Sequence, residues 1–266
     1  MKKFPLLKIS WPLRHALSCL APIQLAANRL LAIRLAAPVL FALVLFALAA
    51  TAQQPYRPVD MEAVAANYDG PSGRMAYEQL SNRLGAGEDL SLEDYRNLYY
   101  GSAFQDAHET RDQVNTRDLA KLMSPERAGT LVARCDSILA LRPADLAANY
   151  FKGLGLFLQD TLSLEAIDYR NRYAQLMEAV LSSGNGAGCG TAFQVLCAKD
   201  ALETMRFLGI PGFTGDARDE NCQVFRIRPS PIYEAKQIYF DMTNAAPDAT
   251  NTPFEPEKAA KGKKKK

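Results

Sequence analysis

Apolar residues recur at steps of three and four through the middle of the chain and at steps of two near its end, and this change of period sets the expected architecture. Ala128, Leu131, Val132, Cys135, Ile138 and Leu139 form the clearest helical stripe, behind a start made of Ser124, Pro125 and Glu126. A hydroxyl at the cap, proline at the first helical position and an acid near the positive end of the dipole all favour a helix there. Arg142-Pro143-Ala144 breaks the stripe, Asp145 can cap a second helix, and Ala147, Tyr150, Phe151, Leu154, Phe157 and Leu158 continue the pattern. A third helix is expected from a Ser163 cap through Ile167, Tyr169, Tyr173, Leu176, Met177, Val180 and Leu181. Links this short force the first two helices antiparallel. Residues 124–183 therefore predict a helical hairpin extended by one helix.

Upstream, Asp60 can cap a short helix over Met61 to Asn67, residues 69–73 read as a turn, and Arg74 to Leu84 reads as a helix closed by Gly85 and Gly87. Ser91 and Asp94 then have capping-box spacing, so another helix should begin at Ser91. Its stripe is Leu92, Tyr95, Leu98, Tyr99 and Ala103, while Tyr100 and Phe104 fall on another side, one turn apart. Burial is the plain reading of such aromatics. The alternative is an aromatic pair shown to a partner, which makes Tyr95, Tyr99, Tyr100, Phe104 and Gln105 the candidate partner or ligand surface.

Beyond the glycine-rich 184–190 the period becomes two. Phe193, Val195 and Cys197 alternate in 191–197, Phe225 and Ile227 in 223–228, and Ile238, Phe240 and Met242 in 237–243. Three short strands are expected, the last two as antiparallel neighbours, with a helix over 200–208 stopped by Gly209 and Pro211. Helices first and strands last indicate an α+β fold: an N-terminal helical part, then a small antiparallel sheet of about three strands covered on one face by helices. Phe151-x-x-Leu154-Gly155-x-x-Leu158 resembles the opening of a tetratricopeptide helix pair, although Ile167 and Asn171 stand where the second helix would carry a small residue and an aromatic.

The two ends of the chain change the charge picture. The first 34 residues hold six bases and no acid, Leu35 to Ala50 is an uncharged run of 16 residues, and Ala50-Thr51-Ala52 supplies a small-x-small site. This is the form of a secretory leader over 1–52, cleaved to leave Gln53 first. An uncleaved membrane anchor is the alternative, although the run is shorter than the roughly 18 residues of a spanning helix. Residues 244–266 hold six lysines and three acids and read as a disordered lysine-rich tail able to touch anionic surfaces. The body between, 53–243, has 19 bases and 26 acids, a net charge of −7 against +2 for the whole chain. That balance offers no footprint for nucleic acid. One domain fits a body of this length.

Four cysteines follow the leader, Cys135, Cys189, Cys197 and Cys222. Cys189 and Cys197 would lie roughly 26 Å apart if the stretch between them were extended, so a bridge from Cys222 to one of the two is expected. Cys135, on an apolar stripe, reads as a buried thiol. His108 is the sole histidine after the leader, which removes the base of a serine or cysteine triad, and no set of zinc ligands is spaced for a site. The glycine loop lacks the Lys-Ser/Thr of a phosphate-binding loop. No cofactor or metal is expected. Paired carboxylates stay open as chemistry, but Glu93 with Asp94 and Asp200 with Glu203 read as helix-start and surface groups.

The leader, the segment from Leu92 to Gly101, the three sequential helices and Ile238-Tyr239-Phe240-Asp241-Met242 together resemble a family of secreted Bacteroidetes proteins, the domain of unknown function numbered 4919. The resemblance covers about residues 58–243. It implies export and one domain of this size, with no established activity. The expected function is a non-enzymatic binding or scaffold domain of the cell envelope, periplasmic or secreted, whose partner is a protein or another envelope component. The alternative is an envelope enzyme using Asp/Glu carboxylates on glycans or peptides.

Overall fold

The computed structural model describes residues 56–108, 116–219 and 222–245. The expected leader, and the lysine-rich tail past Ala245, lie outside them. Among the described residues eight α-helices precede or interleave with four strands: α1 Met61–Tyr68, α2 Gly70–Gly85, α3 Leu92–Gly101, α4 Thr116–Lys121, α5 Ala128–Leu139, α6 Leu146–Gln159, α7 Leu164–Leu181, β1 Phe193–Gln194, α8 Ala198–Phe207, β2 Phe213–Asp219, β3 Cys222–Ile227 and β4 Gln237–Asp241. The class is α+β.

Local capping chemistry starts most of the helices. Asp60 accepts from the Glu62 and Ala63 backbone N–H groups, Asp145 from Ala148 and Ser163 from Ala166. Ser91 and Asp94 complete a reciprocal capping box, with Asp94 N–H donating to Ser91 Oγ at 3.1 Å and Ser91 N–H to Asp94 Oδ2 at 3.0 Å. Two starts differ from the sequence expectation. The turn expected over 69–73 is a sharp junction at Gly70, where a φ of 71° lets α2 begin at once. Gly73 then packs so closely on α1 that a Cβ would sit 2.2 Å from the Tyr68 carbonyl carbon. At Ser124-Pro125-Glu126 the chain first makes a 3₁₀ turn over Pro125–Arg127, and Ser124 forms no side-chain cap.

Helix α3 lies against α1, α2 and α7, which makes it the junction between the N-terminal helices and the hairpin. Its Gly101 is where the Tyr68 ring comes to within 3.1 Å of the position a Cβ would take, with the Tyr77 ring close behind. Helices α5, α6 and α7 pack in succession, and α8 closes over α6 and α7.

The sheet has the order β1-β4-β3-β2 and is mixed. β3 pairs antiparallel with β4, as expected, and with β2, while β1 runs parallel to β4. The expected strand over 191–197 shrinks to two residues because a 3₁₀ turn occupies 189–191 and the chain leaves the sheet for α8. β2 has no counterpart in the sequence expectation. Phe225, Ile238 and Phe240 on the sheet are fully buried and join the helical residues Leu98, Tyr99, Leu176 and Met177 in one core, while Leu119, Leu131, Cys135, Ala147 and Phe151 form a smaller one between α4, α5 and α6. No helix among the described residues is long and apolar enough to cross a membrane.

Candidate functional site

The aromatic residues of α3 are consumed by the core. Tyr99 donates to Asp200 Oδ2 at 2.6 Å and accepts from the Leu196 N–H at 3.1 Å, which fastens α3 to the start of α8. Tyr100 donates to the Gln194 carbonyl of β1 at 3.1 Å, and its burial pushes the phenol far above its ordinary pKa. Tyr95 is buried, with its phenol also raised by desolvation. Phe104 is half-buried against the main core, and Gln105 donates to the Tyr68 and Gly101 carbonyls. Arg96, buried on the same helix, donates to Ser182 Oγ and to the Arg57 carbonyl, and lies over the Tyr100 ring. The five residues expected as a partner surface thus sit together, and Tyr95, Tyr99 and Tyr100 present no surface to a ligand.

Among the cysteines, Cys189 and Cys222 are bridged across 5.7 Å between Cα atoms, tying the loop before β1 to the first residue of β3. Cys197 is buried outside this bridge. Cys135 is buried too, and desolvation pushes its thiol up to about 12, so it is inert as a nucleophile.

The concave feature of the fold lies elsewhere, in a groove of about 380 Å³ along α6 and α7. Tyr150, Gly153, Leu154 and Phe157 line it from α6, Ala166, Ile167 and Arg170 from α7, and Thr161 and Ser163 from the turn between them. The α6 positions are spaced by three, four and seven residues and the α7 positions reach Arg170 by steps of three and four, so each helix contributes one face. The two helices touch at small residues: a Cβ on Gly153 would stand 3.2 Å from the Arg170 backbone nitrogen and 3.3 Å from the Ala166 carbonyl. Larger neighbours on either side rise as walls. Phe157 and Ile167 keep 48% and 43% of their surface exposed.

Behind the inner end of the groove stands a polar cluster in which Glu203 and Tyr173 are buried and Arg206 is exposed. Tyr150 lies 5.2 Å from the Tyr173 ring, and the Arg206 guanidinium lies 5.2 Å from the Tyr150 ring centre. Arg206 pairs with Glu203 at 2.9 Å, and Glu203 is only 1% exposed. Desolvation dominates there, pushing the Glu203 carboxyl up to about 7 despite the pull of Arg206. The Tyr173 hydroxyl is buried with no hydrogen-bond partner among the described residues, and its phenol is raised by burial first and by Glu203 second. Asp200 and Glu203, read from sequence as surface groups, are therefore both interior, because the apolar stripe of α8 points at α6 and α7 and carries them inward. No carboxylate lines the groove. His108 is half-buried, and no group of His, Cys, Asp and Glu among the described residues could hold a metal.

None of the groove residues stands out in the sequence as a site. Phe157 and Ile167 lie on the apolar stripes of their helices, so the sequence does not separate them from core residues.

The family model of a domain of unknown function, DUF4919, matches residues 63–249, and the chain belongs to that family. No curated protein and no solved structure matches the chain, so the tetratricopeptide likeness of α6 rests on its sequence pattern alone.

Proposed function

We propose that this member of the DUF4919 family is an exported, non-enzymatic binding domain whose working surface is the groove along α6 and α7. The observation that carries the reading is the groove itself: about 380 Å³ of concave, mostly apolar space on a face with exposed Phe157 and Ile167. That volume falls in the range of small-molecule sites, which are mostly apolar with a few polar groups that fix orientation. Export is supported by the leader-like first 52 residues and by the Cys189–Cys222 bridge, which persists best in an oxidising compartment. A place in the cell envelope accords with an apolar ligand. The carboxylate-enzyme alternative draws no support from the groove, whose lining holds hydroxyls and one guanidinium but no acid.

The test is saturable binding of a neutral apolar fluorophore, N-phenyl-1-naphthylamine, to the purified chain and to the double variant Phe157→Glu/Ile167→Glu. Both positions are half-exposed, so the variant should keep its helical circular dichroism while losing at least tenfold in affinity. Unchanged fluorophore binding by the folded variant would remove the groove from the function.

A further inference from the structure

Resting on the reading of the groove as the working surface, we propose that its occupant is a free single-chain carboxylate amphiphile, with its carboxylate against Arg170 and its chain along the trough between α6 and α7. Arg170 is the one charged residue in the lining. It is exposed, and no described residue offers its guanidinium a hydrogen bond or an ion pair, whereas other arginines near the hairpin are engaged: Arg142 lies 3.5 Å from Asp145, Arg206 pairs with Glu203, and Arg172 lies over the Tyr169 ring. A guanidinium presents donors in a planar fork that matches a carboxylate bidentately. Beside it the trough has a floor of Gly153 and Ala166 and walls of Leu154, Phe157 and Ile167, which solvate methylene groups but offer a polar chain nothing to bond.

The geometry orders the ligand. Arg170 is one turn further along α7 than Ala166 and Ile167, and it lies at the level of Gly153 on α6. A head held there sends its tail towards Phe157 and the α6–α7 turn, where Thr161 and Ser163 close the lining. A neutral amphiphile would occupy the same trough without using the guanidinium, so charge at the head is the discriminating feature.

Displacement of the bound naphthylamine fluorophore by dodecanoate and by 1-dodecanol, both below aggregation, tests the proposal. The wild-type chain should prefer dodecanoate roughly fivefold, the scale of a partly exposed ion pair. Arg170→Gln should abolish that preference while leaving dodecanol displacement unchanged, and Arg170→Lys should keep part of it. Equal displacement by the two compounds, or a preference that survives Arg170→Gln, overturns the head-group assignment and leaves the groove reading standing. Fluorophore binding that survives Phe157→Glu/Ile167→Glu overturns both. Failure of dodecanoate to displace, together with self-association on sedimentation that the same double variant abolishes, would replace the amphiphile with a second copy of the chain.

Discussion

At the scale of the residue, the most consequential side chain outside the groove is Glu203. A carboxyl that is 1% exposed and pushed up to about 7 binds its proton more tightly in the folded chain than in the unfolded one, where its ordinary value is 4.5. Its contribution to stability is therefore fully present below pH 4.5 and is lost as pH rises through about 7. At 1.36 kcal/mol per unit the loss is about 3 kcal/mol at most. The charged and titratable groups around it are Asp200 and Arg206 on its own helix, Asp145 from the α6 cap, and Tyr150 and Tyr173 from α6 and α7. Glu203→Gln removes the titration without changing the shape. Urea unfolding at pH 5 and pH 8 should show wild type losing stability between the two and the variant losing about 2 to 3 kcal/mol less. Parallel curves for the two proteins would mean that Glu203 is ionised throughout and held by Arg206 alone.

At the scale of the element, stability begins at caps that the chain announces locally, and α3 tests this most directly. Ser91→Ala removes one half of the capping box and strips Asp94 of the Ser91 hydroxyl donor, one of the bonds that hold its carboxyl below the usual range. The expected cost is about 1 kcal/mol in urea unfolding at pH 7, the usual worth of such a cap. Because the depressed Asp94 contributes only above its unfolded pKa near 4, the cost should shrink as pH falls through that range. The same locality explains what was legible. Asp60, Ser91, Asp145 and Ser163 each bond a backbone group two or three residues away, so a short window of sequence contains the whole cause. β2 is the counterexample. Phe-Thr-Gly-Asp-Ala-Arg-Asp carries no apolar alternation, and the segment becomes a strand through backbone pairing to β3 at the sheet edge. The groove was illegible for a related reason. Periodicity says that Phe157 and Ile167 lie on apolar faces, yet only the packing of α5 and α8 elsewhere on the hairpin decides that these two are left uncovered.

At the scale of the whole molecule, the question is what holds the sheet onto the helical part, since β1 offers only two residues and the chain between β1 and β3 detours through α8 and β2. Tyr100 and Tyr99 donate hydrogen bonds from α3 to the Gln194 carbonyl of β1 and to Asp200 of α8, and Gln194 of β1 accepts from the Val59 N–H and returns a bond to the Val59 carbonyl, which adds the N-terminal segment to the same junction. The Cys189–Cys222 bridge closes this detour covalently over a sequence separation of 33. In the loop-entropy account a closure of that length disfavours the unfolded chain by roughly 3 to 4 kcal/mol. Cys189→Ser/Cys222→Ser should lower the urea midpoint accordingly, and a reducing agent should bring wild type down to the same midpoint, with Cys135 and Cys197 contributing nothing because both are buried thiols. The groove lies on α6 and α7, outside the closed loop. Amphiphile affinity of the double-serine variant should therefore match wild type wherever the variant stays folded. A fall in affinity without unfolding would show instead that the bridge, acting through α8 and its Arg206 behind Tyr150, sets the shape of the groove's inner wall. Equal midpoints with and without reductant would mean that the bridge adds nothing to the fold.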